Sequence, residues 1–255
     1  MGAVKTLKAR VIPSLLLRNG RLVKGQKFSQ HLDAGHPATT ARAHNAQGAD
    51  EIILLDIDAS RENRGPDIGW IEKVAAECFM PLAAGGGIRS VEDAKAVIDA
   101  GADKIVVNAA ALDRPQLLTD IALVFGAQAI VVAVDVVEES NGLKVYDHRH
   151  HRVTDRDALQ WIREVVTKGA GEIRICAVDR EGTRNGFNLD LLKQAHRSVH
   201  VPIIIEGGAG SLADIDAALK AGADGVALGT VLVFSDNNIV KVRRFLAQSG
   251  HIVRI

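Results

Sequence analysis

One pattern occurs twice in this chain. Pro81–Asn108 reads PLAAGGGIRSVEDAKAVIDAGADKIVVN, and Pro202–Thr230 reads PIIIEGGAGSLADIDAALKAGADGVALGT. Adding 121 to a residue number carries Gly86 and Gly87 onto Gly207 and Gly208, Ser90 onto Ser211, and Asp93 onto Asp214. It also carries Gly101-Ala102-Asp103 onto Gly222-Ala223-Asp224, Glu51 onto Glu172, and Asp58 onto Asp179. A period this long marks a duplicated half-domain rather than a solenoid unit. The 255 residues are therefore expected to form one domain closed from two halves, about 1–124 and 125–255.

Eight short apolar runs carry the strand signal: Arg10–Leu17, Glu51–Ile57, Pro81–Ala84, Lys104–Asn108, Ala129–Asp135, Glu172–Val178, Pro202–Ile205 and Gly225–Gly229. Their near-continuous Val/Ile/Leu/Ala content is that of strands buried on both faces. Stretches with helical spacing lie between them: Ala38–Gly48, Ile68–Phe79, Ser90–Ala100, Arg114–Phe125, Asp155–Lys168, Leu189–Ser198, Ser211–Ala221 and Asn237–Ser249. Ser90, with Asp93 three residues on, reads as an N-cap. Eight strands alternating with eight helices predict a parallel closed sheet, the (β/α)8 or TIM barrel. An open doubly wound sheet is the rival, and the half-barrel repeat counts against it. Two long connections, Arg18–Pro37 and Val136–Thr154, follow strands 1 and 5. They fall on the C-terminal face, where barrels place their chemistry and where long loops often act as lids.

Lysine plus arginine equal aspartate plus glutamate at 31 each, which gives no support for nucleic acid or an anionic membrane as the main partner. Cys78 and Cys176 make neither a disulfide framework nor a metal spacing, and a reducing cytoplasm is the expected home. No apolar stretch reaches spanning length. The N-terminal segment is read as leading into a first strand rather than as a cleaved leader. No cofactor is expected.

The glycines at strand ends suggest phosphate. Gly85-Gly86-Gly87 follows strand 3, Asn108-Ala109 follows strand 4, Gly207-Gly208 follows strand 7, and Gly229-Thr230 follows strand 8. Glycine lets the backbone approach a ligand, and free N–H groups at a helix start attract anions. A single such turn needs no ligand. Two paired sets at matching strand ends predict two phosphate cradles across the mouth, suited to a doubly phosphorylated substrate.

With these segments in view the chain resembles the cyclase subunit of imidazole glycerol phosphate synthase. The resemblance is carried by NGRLVKG (Asn19–Gly25), LDIDAS (Leu55–Ser60), GGGIRS (Gly85–Ser90), GADKIVVNAAA (Gly101–Ala111), VVAVD (Val131–Asp135), DREGTRNG (Asp179–Gly186) and GGAG (Gly207–Gly210). It implies a barrel that takes ammonia from a glutaminase subunit and uses it on a substrate with two phosphates. It also implies a catalytic Asp135, a substrate-loop Lys24 and a phosphate contact at Gly182.

Four positions depart from that pattern. The strand-1 position of a catalytic aspartate is Leu16, and leucine cannot move a proton. Losing a general acid/base costs about 10²–10⁴-fold. Cys176 stands for a strand-6 threonine, Glu206 for a serine before the strand-7 glycines, and Ala109 for a threonine. Glu206 should repel phosphate unless a cation offsets it. These departures resemble paralogues that accompany sugar amidotransferases in surface-polysaccharide synthesis.

Arg10, Glu51, Lys104 and Glu172 stand at strand starts, on the N-terminal floor. A structural ion cluster is one reading. The resemblance implies a gate through which ammonia enters from a glutaminase docked on that face, with Asp103 and Gln128 close by. The run Asp147-His148-Arg149-His150-His151 is read as a loop hairpin rather than a metal site, with His148 and His150 sharing a strand face. Cys176 is read as filling a barrel layer. The intact entrance and the missing carboxylate together favour relay of ammonia toward sugar amidation. A working cyclase, with Asp135 assisted by an acid such as Glu206, and a silent scaffold that activates the glutaminase are the alternatives.

Overall fold

The structure, a computed structural model, describes residues 8–254, and the N-terminal segment at 1–7 lies outside the described residues. Strand β1 (Arg10–Arg18) is followed by a hairpin of β2 (Arg21–Gln26) and β3 (Ser29–Gly35), then α1 (Pro37–Ala46). Next come β4 (Ile52–Asp56), α2 (Ile68–Ala75), β5 (Leu82–Gly85), α3 (Val91–Asp99), β6 (Lys104–Val107), α4 (Ala109–Asp113) and α5 (Gln116–Phe125). The second half repeats the plan. Strand β7 (Ile130–Glu139) is followed by a hairpin of β8 (Gly142–Asp147) and β9 (Arg152–Asp157), then α6 (Ala158–Thr167). The chain ends with β10 (Glu172–Ala177), α7 (Leu189–Ser198), β11 (Ile203–Glu206), α8 (Leu212–Lys220), β12 (Gly225–Leu228), α9 (Thr230–Val233) and α10 (Ile239–Gln248).

Parallel pairing runs β1–β4–β5–β6–β7–β10–β11–β12 and returns from β12 to β1, where Arg10 faces Gly225 and Pro13 faces Leu228. The sheet is a closed eight-stranded barrel with helices outside it. The predicted strands match in place and in order.

The residues repeated in the sequence make matching local contacts. Ser90 and Ser211 each head a helix with a capping box closed by Asp93 and Asp214. Each box satisfies backbone donors that a helix start leaves open. Asp103 and Asp224 accept the N–H groups of Leu82 and Ile203, at 2.9 Å in both halves. Asp103 is thus committed to its neighbouring strand.

Alternate residues of each strand face opposite sides. Outward residues such as Val11, Leu15, Ile52, Leu82, Ile105, Ile130 and Ile173 pack under the helices. Inward residues, among them Ile12, Ile53, Val106, Val131 and Ile204, form a separate apolar layer on the barrel axis.

Two expectations change. Asp155–Asp157 belong to β9, not to a helix; α6 starts at Ala158, with the Asp157 carboxylate accepting from Gln160 N. The Asp147–His151 run is no strand face, because His148 and His150 lie in the turn between β8 and β9.

Candidate active site

The floor of the barrel is a closed ring of charge. Arg10 Nη1 donates to Glu51 Oε2 at 3.0 Å, and its Nη2 donates to Glu172. Lys104 Nζ donates to Glu51 Oε2 at 2.9 Å and to Glu172 Oε2 at 2.8 Å. Each cation touches both anions, so the four charges cancel. Both carboxylates are buried, and Glu51 Oε1 has no hydrogen-bond partner among the described residues. Burial opposes the Arg10 charge, but the two carboxylates outweigh it and raise its pKa. Above the ring lies the inward apolar layer. Ser14, next inward on β1, has a buried hydroxyl without a partner among the described residues.

The other end of the lumen opens into a cleft of about 930 Å³ counting its solvent-filled mouth. Leu16, Gly86, Gly87, Asn108, Ala109, Asp135, Arg174, Glu181 and Glu206 line it. Asp135 is 3% exposed, and its Oδ2 accepts the Asn108 side-chain amide at 2.7 Å. The first cradle therefore shares the cleft with the catalytic candidate. Leu16 faces the same space and offers no proton.

Sequence reasoning missed Arg174. It lies in the middle of β10, between the inward Glu172 and Cys176, so strand alternation pointed it inward too. Its Nε donates to Glu206 Oε2 at 2.6 Å and its Nη2 to the same oxygen at 2.5 Å. Both side chains are buried. Burial works against the guanidinium charge, but Glu206 and nearby anions more than offset that and raise its pKa. The cation needed to offset Glu206 is thus present. Glu181, also buried, has its carboxyl pushed up to about 7, first by desolvation and then by the Glu206 charge. Burial and the surrounding carboxylates push the Cys176 thiol well above its ordinary range, leaving it a protonated space-filler.

The second cradle is built differently. Gly207, Gly208, Gly229 and Thr230 do not line the cleft. Instead Lys24, on β2, runs beneath Gly229, where a β-carbon would collide with its Nζ. A larger residue at this turn would push the end of the lysine aside. Lys24 is 2% exposed, and neither its Nζ nor the buried Thr230 hydroxyl has a partner among the described residues. Buried polar groups in proteins are almost always paired. Lys24 Nζ lies against Gly229, and Thr230 is the next residue. Gly182 serves the closure of the mouth: its turn packs directly on Gly25, and Lys27 N donates to Glu181 O at 2.9 Å.

The two hairpins meet over the mouth. Phe28 and Tyr146 make an edge-to-face contact with centroids 6.0 Å apart. From the β8–β9 turn, His148 reaches inward until its Nδ1 lies 3.3 Å from Asp135 Oδ2.

Comparison with known proteins bears on this geometry. A family described as "Histidine biosynthesis protein" matches residues 10–238. The chain belongs to this family. It is 44% identical over 249 residues to the imidazole glycerol phosphate synthase subunit HisF of Gluconacetobacter diazotrophicus, covering 97% of this chain and 96% of that protein. The HisF subunits of Streptomyces coelicolor and Hyphomonas neptunium are 43% and 41% identical, with 98% and 97% of this chain covered and 100% and 99% of theirs. No helix among the described residues is long and apolar enough to cross a membrane.

Proposed function

We propose that this barrel takes ammonia through its floor from a glutaminase docked on the N-terminal face and commits it, at the mouth, to a phosphorylated substrate. The chemistry would be of the kind named for its relatives, imidazole glycerol phosphate synthase subunits. The carrying observation is the cancelled ring of Arg10, Glu51, Lys104 and Glu172. A ring without net charge has no pull on a neutral molecule, and the mostly apolar layer above it, which the neutralised Arg174 enters level with Ala133 and Ile204, opposes ions by their desolvation cost. Glu51 Oε1 and Ser14 Oγ, without hydrogen-bond partners among the described residues, offer hydrogen-bonding stations along the way.

At the mouth, Asp135 is the proton-transferring carboxylate, oriented by Asn108. Gly86, Gly87, Asn108 and Ala109 would hold one phosphate, and Lys24 with Thr230 and the glycines of the second cradle the other. The docking face has suitable chemistry. Phe79, after α2, is 92% exposed, and Leu123, near the end of α5, is 82% exposed. Both precede barrel strands and so lie at the floor end.

A second reading, relay of ammonia toward sugar amidation, is favoured by one feature: Leu16 faces the cleft where a carboxylate would be useful. The experiment that separates the two uses the chain with its glutaminase. Glutamine-dependent formation of imidazole glycerol phosphate supports the first reading, and its absence alongside glutamine hydrolysis supports the second. Arg10→Trp should abolish the glutamine-dependent product and spare the product formed with added ammonium salt. Equal loss of both would count against the floor as the entrance.

A further inference from the structure

The mouth holds a proton-moving group in direct contact with Asp135, and no strand supplies it. His148 sits in the β8–β9 turn, and its ring reaches the one Asp135 oxygen that also accepts from Asn108. His148 and Asp135 both line the cleft. Asp135 is the ring's only polar partner among the described residues. With Nδ1 turned to Asp135, Nε2 is left for whatever occupies the cleft.

The placement is built rather than incidental. Asp147, 2% exposed, accepts from Arg149 N at 3.1 Å and from its Nε at 3.0 Å. Arg149 then crosses to Asp113, the last residue of α4, donating from Nη2 at 3.0 Å and from Nη1. The residues on both sides of His148 are therefore tied down. The turn is further braced by the Phe28–Tyr146 contact with the opposite hairpin.

We propose that His148 and Asp135 act as a proton-transfer pair on the substrate, His148 being the second acid/base that Leu16 cannot be. The proposal rests on the reading that ammonia is used at this mouth. The step it serves is addition of ammonia to a carbonyl carbon of a phosphorylated substrate. The new C–N bond takes the nitrogen lone pair, and the C=O π pair moves onto oxygen. His148, as imidazolium, gives that oxygen its proton. Asp135 takes a proton from the nitrogen. Asp135 then returns its proton to the same oxygen, the C–O bond breaks as water leaves with that electron pair, the nitrogen lone pair closes the C=N bond, and the now neutral His148 takes the remaining iminium proton, so ammonia and a carbonyl yield an imine and water. One group gives while the other accepts, which a lone carboxylate cannot do in a single step. The carboxylate also orients the ring, by the contact at Nδ1.

The test is turnover by the full chain with ammonium chloride and the bisphosphorylated precursor of imidazole glycerol phosphate. His148→Ala should lower kcat at least 100-fold with KM changed by no more than a few-fold, and added imidazole should restore part of it. Leu16→Asp introduced into the His148→Ala protein should recover at least tenfold, because it puts a carboxyl back into the same cleft. Melting curves check that each variant folds; His148→Gln replaces His148→Ala if the latter does not. Wild-type protein that turns over while the folded histidine variant keeps its kcat within about threefold overturns this inference alone. So does a loss of activity that neither imidazole nor Leu16→Asp relieves. Wild-type protein that forms no product overturns the functional reading, and this inference with it.

Discussion

Arg174 and Glu206 form a fully buried ion pair inside the barrel, with one carboxylate oxygen accepting from two guanidinium nitrogens. Removing one partner of such a pair leaves an uncompensated charge, at a cost of about 3–5 kcal/mol, while replacing both by apolar groups is often neutral. Glu206→Ala and Arg174→Leu should each lower stability by that order in urea unfolding. The double substitution Arg174→Leu with Glu206→Leu should recover most of the loss. Additive losses would show that the two side chains are not coupled.

Lys24 presents a different case, a buried ammonium with no hydrogen-bond partner among the described residues, though its charge acts on the buried Glu181 carboxyl. Such a charge costs stability until an anion arrives. Lys24→Met should therefore melt no lower than wild type in phosphate-free buffer. Its affinity for inorganic phosphate, measured by calorimetry, should fall at least tenfold. Unchanged phosphate binding would remove Lys24 from the second cradle.

Glu181 sets a pH dependence. Its carboxyl sits at about 7 in the native chain against an ordinary 4.5. Between those values the folded protein keeps a proton that the unfolded protein has released. Stability then falls as pH rises through that window. The urea midpoint of wild type should drop from pH 5 to pH 8 by more than that of Glu181→Gln. Parallel drops in the two proteins would place the titration elsewhere.

The exposed apolar groups at the floor end give a fourth test. Phe79→Asp and Leu123→Glu should leave the ammonium-dependent reaction unchanged and weaken glutaminase binding by at least tenfold in a titration. Full-strength binding by both variants would move the docking surface off this face.

Much of this was legible in the residues. The strands declared themselves as apolar runs because a barrel strand is buried on both faces, and the four floor charges stood out by opening those runs. Ser90 and Ser211 announced their helices because a cap is a local interaction, complete within four residues. Arg174 was just as readable, since counting by twos from Glu172 points it inward; the eye stopped at Cys176. His148 was not readable. Its position depends on a hairpin folding back over the mouth, held by Asp147, Arg149 and Asp113, and that arrangement is set by packing across 36 residues. Asp155–Asp157 misled because a β-strand that ends in a helix cap reads locally as helix.

The β8–β9 hairpin hangs from the rim of a cylinder whose staves are already complete without it. A change in its length or tip would therefore swap the imidazole for another reagent while every stave kept its neighbours. In this chain the scaffold and the reactive chemistry can be inherited on separate terms.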